Sequence, residues 1–327
     1  MYLLKRTRGA FIEKERASSG RCLESLNHMD KALRTDSPDK MIVSIGPEAG
    51  VAPPTAIATA ACKVNEHCVG DRWTVGDFEL LARLIAIIAM GQAKHAARII
   101  ADLQPAVPAL TFDVLRSDAK QRLTVTGDTP EKEDAHRWHR DGLIFEAISW
   151  IAARQGAAAK VLMRDPHISA TTQGLDGLMI ELDEKGETVV RATILEDKCS
   201  NDPRRKFRDE VLPAFRNYHA GKRASELVAA TSSLLDGRIP DEAVTQAAGR
   251  VLDVAFRAYR AGLTINPDHD SEAGRTALFK GYEGLEKIAR AQRIGATFLP
   301  PSELRTWFDE IAGRAIAFID ELEEDDH

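Results

Sequence analysis

The sequence predicts an α/β (α+β) fold in which helices outnumber strands. Only 6% of the 327 residues are aromatic while 44% are hydrophobic, and Ala, Leu, Ile and Arg are common, a composition that favours helix. Helix-start signals open several stretches. Near the middle, Leu178 to Asp183 and Val189 to Lys198 flank a Lys185-Gly186 turn, the pattern of a β-hairpin.

Taken in order, residues 1–40 are charged and aperiodic, an expected arm or cap. Met41 to Ile45 reads as a short strand, and Pro53-Pro54 breaks the chain. Thr55 to Cys62 is expected to be helical. Thr74 to Asp77 has the form of a helix start, and the helix it opens should run to about Leu103, apolar on most sides up to Met90. Arg122 to Thr126 reads as a strand. Thr129-Pro130-Glu131 starts a helix expected over 130–154, with proline at the first helical position and Gly156 at the stop. A strand at 160–163 and the hairpin follow. Beyond Pro203 the pattern is helical over 204–220, 223–235, 240–260, 271–292 and 301–323, interrupted by two strands, Leu263 to Asn266 and Ala296 to Leu299. Their surroundings match: Arg257-Ala258-x-Arg260-x-Gly262-x-Thr264 and Arg290-Ala291-x-Arg293-x-Gly295-x-Thr297. Two copies do not make a solenoid; they read as two similar helix-to-strand turns, adjacent in one sheet. The expected division is a mainly helical region over 1–110 and a second unit over 111–327.

The formal net charge is −6, so the chain as a whole does not announce a nucleic-acid binder. Charge is unevenly spread, however. From Glu196 to Arg223 there are eight Lys or Arg against five Asp or Glu, a local basic patch, while Glu321 to His327 is acidic. Cys22, Cys62, Cys68 and Cys199 form no close pair, no signal-peptide core is visible after Met1, and the apolar run Leu80 to Met90 is too short to span a bilayer. The expectation is a cytoplasmic protein with free thiols and no membrane partner.

Chemistry concentrates at the hairpin. Side chains alternate faces along a strand, so Glu196 and Lys198 point one way and Asp197 the other. Antiparallel pairing brings the start of the first strand beside the end of the second, which delivers Asp176, in Gly174-Leu175-Asp176-Gly177, to Glu196 and Lys198. Two carboxylates from different segments suit a hard divalent ion such as Mg²⁺. A neighbouring ammonium favours hydroxide over water and steadies charge growing on a phosphate. Metal-assisted phosphodiester hydrolysis fits this set.

An Asp, a hairpin and then Glu-x-Lys at the end of its second strand resembles the PD-(D/E)XK, or restriction-endonuclease-like, nuclease superfamily. The resemblance covers roughly residues 130–220. It implies a core of helix 130–154, strands 160–163, 178–183 and 189–198, and helix 204–220, forming a mixed sheet flanked by helices, with extra N- and C-terminal helices around it. The fourth core strand is then Leu263 to Asn266 or Ala296 to Leu299, late in the chain. No proline precedes Asp176, unlike the family name. The resemblance implies Asp176 and Glu196 as ligands of Mg²⁺ or Mn²⁺, the Asp197 backbone carbonyl as a further ligand, and Lys198 as the catalytic lysine. A glutamate on the first core helix is implied too. Glu146 is its candidate, with Asp141 the rival on a different face. Members of the superfamily serve restriction, phage defence and repair, so the implied activity is that of a nuclease, with DNA ahead of RNA as substrate. A helicase, ATPase or sensor partner is expected, because no GxxxxGK[ST] loop is present, and a homodimer would cut both strands. Two alternatives stand beside this: an inactive nuclease-fold scaffold subunit, and a mainly helical interaction protein with an incidental hairpin.

Arg204, Arg205, Lys206 and Arg208 open the next helix, with Lys222 and Arg223 after it, a candidate grip on phosphates. Gln173, in the same turn, is a further neighbour of the site, though a turn residue needs no such role. His136-x-x-His139 and the group Cys62, His67 and Cys68 have ligand chemistry but nothing in the sequence to complete a site.

Overall fold

The computed structural model describes residues 55–102, 108–158, 160–168 and 174–324. The expected arm over 1–40, the strand at Met41 to Ile45, Cys22 and Gln173 lie outside these residues. The chain begins with two antiparallel strands, β1 (Ile57–Cys62) and β2 (Val69–Val75), paired from Ile57 with Val75 to Cys62 with Gly70. The helix expected over Thr55 to Cys62 is therefore a strand. Its Ala-rich sequence favours helix intrinsically, but pairing with β2 decides the outcome.

Asp77 caps α1 (Phe78–Ala89), its carboxylate accepting from the Leu80 amide at 2.9 Å. The long helix expected from here to Leu103 is broken at Gly91, whose φ of +77° ends α1 and lets α2 (Ala93–Ile100) set off anew. α3 (Asp113–Leu123) replaces the strand expected at Arg122 to Thr126, and Ala119 and Leu123 turn its buried side inward. α4 (Pro130–Gln155) follows its expected span, with the Thr129 hydroxyl accepting from the Lys132 amide at 3.4 Å.

The meander β3 (Val161–Met163), β4 (Gly177–Leu182) and β5 (Val189–Lys198) is antiparallel throughout. Asp183 closes its turn by accepting from the Glu187 and Thr188 amides at 2.9 and 3.2 Å, while Gly186 supplies the left-handed residue. Next come α5 (Pro203–Lys206), a π-helical turn at Phe207–Val211 and α6 (Leu212–His219), a single run matching the helix expected over 204–220. α7 (Ala224–Leu235) and α8 (Asp241–Gly249) lead to β6 (Arg257–Thr264). Finally α9 (Glu272–Leu278), β7 (Arg293–Phe298) and α10 (Leu304–Glu324) complete the described chain. The helices expected over 240–260 and 271–292 stop early, at Gly249 and Leu278, and both late strands begin several residues sooner than expected. In β6 every residue is buried, so the strand shows no alternation by which to recognise it.

Among the described residues seven strands form one mixed sheet in the order β1-β2-β7-β6-β5-β4-β3. β5, β6 and β7 run parallel, as do β2 and β7. The two matching segments, read as helix-to-strand turns, are instead largely strand, and they neighbour each other in the sheet as expected. The boundary expected at residue 110 falls between α2 and α3, yet β2 from before it pairs with β7 from after it. A mainly helical protein with an incidental hairpin does not describe this architecture, because the hairpin is part of the sheet. No described helix is long and apolar enough to cross a membrane.

Apolar clusters cover both faces. One packs α1, α4 and α10 on Trp73, Ala296 and Phe298; the other packs α6 and α7 on Ile194, Tyr259, Ala261 and Leu263. Gly295 is required by close approach, since a Cβ there would lie 2.6 Å from the Phe279 ring. Gly295→Ala is expected to lower stability by about 1–3 kcal/mol, the usual penalty for overpacking. Urea unfolding measures it, and an unchanged midpoint would show that the ring yields freely.

Candidate active site

β5 ends in Glu196, Asp197 and Lys198, and its alternation sends them to different faces. Asp197 pairs in register with Gly262 of β6 and turns toward α4. There the Ser149 hydroxyl donates to its Oδ2 at 2.6 Å, and the Arg260 guanidinium stands 3.8 Å away while donating to the same hydroxyl. Arg260 also lies over the Trp73 ring, 5.1 Å from its centroid. Gly262 makes room, since a Cβ there would press on Asp197 Oδ1. Burial pushes the Asp197 carboxyl up to about 6, against the opposite pull of Arg260 and Ser149. Its side chain therefore anchors α4 to the sheet.

Glu196 and Lys198 point to the other face, and Asp176 meets them there. The Lys198 ammonium donates to Asp176 Oδ2 at 2.7 Å and to Glu196 Oε2 at 3.4 Å. Asp176 is fixed twice more. The Asp197 amide donates to it at 3.3 Å, and Arg164 holds the preceding carbonyl, of Leu175, at 3.0 Å. Hairpin pairing thus brings the three residues into one cluster.

The charges in this cluster are unequally satisfied. Burial, then repulsion from Asp176, raises the Glu196 carboxyl to about 8, with Lys198 opposing both. Lys198 behaves differently: burial pulls it down, but Asp176 and Glu196 outweigh burial and hold it above the ordinary lysine range. The distances resolve the contrast. Lys198 serves Asp176 first and leaves Glu196 the poorly compensated partner.

A cleft of about 530 Å³ opens beside the cluster, with Asp176 and Lys198 in its wall and Glu196 buried behind them. Glu146 lines the same cleft from α4, but its carboxylate is engaged by His167, accepting from the backbone amide at 2.7 Å and lying 3.2 Å from Nδ1. Asp141, the rival, is fully buried and bonded to Arg140 and Arg305, so it is an anchor for those arginines.

The expected basic residues divide. Arg205 and Lys206 line the cleft, paired with Asp202 and Glu210. Arg204 instead donates to the Leu278 and Lys280 carbonyls at 2.8 and 2.7 Å, tying α5 to α9. Arg208 pairs with Asp209 at 2.6 Å, Arg223 pairs with Glu226 and stacks on Tyr218, and Lys222 is exposed; none of the three lines the cleft. Sequence reasoning missed Arg305, His167 and Trp138, which do. The first two arrive from segments remote in sequence and left no local signal; Trp138 sits two helical turns before Glu146 and was readable from spacing alone.

Elsewhere, His136 Nδ1 pairs with the Thr126 hydroxyl at 2.8 Å, and Cys62, Cys68 and Cys199 are free thiols. Among the described residues no group of three or more His, Cys, Asp or Glu side chains is arranged to hold a metal ion. Asp176 in the cleft wall and Glu196 buried behind it, both on Lys198, are a smaller set of two oxygen donors.

Comparison with protein-family models, with curated proteins and with solved structures finds no match to this chain.

The raised Glu196 carboxyl has a consequence for stability in the absence of divalent ions. Between the ordinary glutamate value of 4.5 and about 8, the folded protein holds a proton that the unfolded chain has lost. Stability therefore falls as pH rises through this window. With EDTA present, Glu196→Gln is expected to melt higher than wild type at pH 8, by on the order of 2–4 °C, and to match it near pH 4. Equal melting points at both pH values would show that Lys198 fully compensates Glu196.

Proposed function

We propose that this protein is a metal-dependent nuclease that hydrolyses phosphodiester bonds of DNA. The observation that carries this is the Lys198 ammonium held between the Asp176 and Glu196 carboxylates at the wall of a cleft that Arg205, Lys206 and Arg305 also line. The order of elements supports a restriction-endonuclease-like core. Helix α4, the meander β3–β4–β5, the helical run from α5 to α6, and β6 parallel to β5 follow the order that the superfamily resemblance implies, with α7 and α8 inserted before β6.

The donor chemistry fits a hard cation. Glu196 is a buried carboxyl group with an unfavourable neighbour in Asp176, and the charge of a divalent ion would offset both the desolvation and the repulsion. Asp176 and Glu196 would hold Mg²⁺ or Mn²⁺, with the Asp197 backbone carbonyl as a further ligand. When bound, the ion supplies charge neutralisation at the phosphate and a lowered pKa for water. Lys198, at the cleft wall, would donate to a phosphate oxygen and stabilise the charge that develops as water attacks phosphorus and the P–O bond to the leaving oxygen breaks. The products are a phosphate monoester and a hydroxyl. Glu146, held by His167 in the same cleft, helps to orient the attacking water. Arg205 and Lys206 at the start of the next helix steady the flanking phosphates.

Plasmid and linear DNA incubated with the protein test this directly. Cleavage is expected with Mg²⁺ and not with EDTA. Lys198→Ala and Glu196→Gln should each cost on the order of 10²–10³ in rate, typical for removing a group that stabilises transition-state charge. Either variant cleaving like wild type would overturn the assignment.

A further inference from the structure

The α4 wall of the cleft carries an exposed indole with no part in the hydrolysis itself. Trp138, Gly142 and Glu146 recur every four residues and all line the cleft, so they share one helical face. Trp138 is 60% exposed, whereas the other three tryptophans, Trp73, Trp150 and Trp307, are buried. Gly142 is the second anomaly. A glycine inside a helix costs about 1 kcal/mol relative to alanine. Packing does not demand it here, because a Cβ at this position would meet nothing within 4 Å. A side chain there would instead stand in the cleft between the indole and Glu146. Eight residues separate Trp138 from Glu146, about 12 Å along the helix axis. An aromatic platform, a bare floor and the cations Arg205, Lys206 and Arg305 around the same cleft are the ingredients of single-strand recognition.

We propose that the cleft binds single-stranded DNA, with one unpaired nucleobase stacked on Trp138 and the strand passing over Gly142 toward the Asp176–Glu196–Lys198 cluster. This deepens the nuclease assignment and rests on it for the direction of the strand. A duplex keeps its base faces stacked on each other and must be opened before one can lie on an indole. The flanking cations are already paired, Arg205 with Asp202, Lys206 with Glu210 and Arg305 with Asp141, so phosphates compete with carboxylates for them. Stacking then contributes a large share of affinity.

Titration of the full chain in EDTA at low salt with oligo(dT), and with a duplex of equal length, tests the proposal through tryptophan fluorescence and the anisotropy of a labelled strand. Oligo(dT) should bind more tightly than the duplex and quench emission. Trp138→Ala should abolish the quench and weaken binding roughly 5- to 150-fold, while Trp138→Phe keeps most of the affinity. Gly142→Leu should weaken binding as well, with an undiminished melting temperature showing that the helix is intact. Failure of oligo(dT) to bind, a Trp138→Ala protein that binds like wild type, or equal binding and quenching by the duplex each overturns the proposal. Binding of oligo(U) but not oligo(dT) overturns the choice of DNA. The two assignments fail separately. Cleavage with no role for Trp138 leaves the nuclease standing, and stacking without Mg²⁺-dependent cleavage leaves only the single-strand site.

Discussion

Alternation at the end of β5 governs the organisation of this protein. Three consecutive ionisable residues cannot share a face of a strand, so Asp197 is sent to α4 while Glu196 and Lys198 are sent to the opposite side. The first direction is structural. Asp197, Ser149 and Arg260 join β5, α4 and β6 through a buried polar network, and Trp73 of β2 covers it. The second direction gathers charge, because Asp176 closes on Lys198 and the buried Glu196 beside it. A one-residue slip of register would exchange the two roles and leave an unpaired lysine against α4.

This arrangement also explains why the cluster is poised and not merely paired. Lys198 satisfies Asp176 and leaves Glu196 short of positive charge in a buried setting. A salt bridge serving stability alone would balance its partners. On the proposed reading, this uncompensated carboxylate beside Asp176 is where a further cation would bind. Arg164 and His167, just after β3, hold the Leu175 carbonyl and Glu146, so residues following β3 position both Asp176 and Glu146.

The hairpin and α4 were legible because their signals are local. Lys185-Gly186 fixes the turn, Thr129-Pro130 fixes the helix start, and period-two alternation then dictates the grouping of Asp176, Glu196 and Lys198. Signals failed where tertiary pairing outweighs propensity. Ile57 to Cys62 is Ala-rich yet becomes an edge strand through β2, and β6 hides in an apparently helical stretch because Arg257 and Arg260 are buried on distant partners. Arg257 donates to the Tyr218 carbonyl, 39 residues away, a contact that no local pattern reveals. Likewise Arg204 reads as a phosphate ligand by position but is taken by α9 carbonyls, while Arg305 reaches the cleft from the start of α10, brought there by its pairing with Asp141.

The central claim is that Asp176 and Glu196 hold a catalytic divalent ion beside Lys198. A crystal soaked in Mn²⁺, measured for anomalous scattering, tests this most directly. The expected result is a peak between the two carboxylates, with the Lys198 ammonium displaced from Asp176 toward the cleft. An ordered site with no peak at saturating Mn²⁺, or an ion bound only elsewhere, would contradict it.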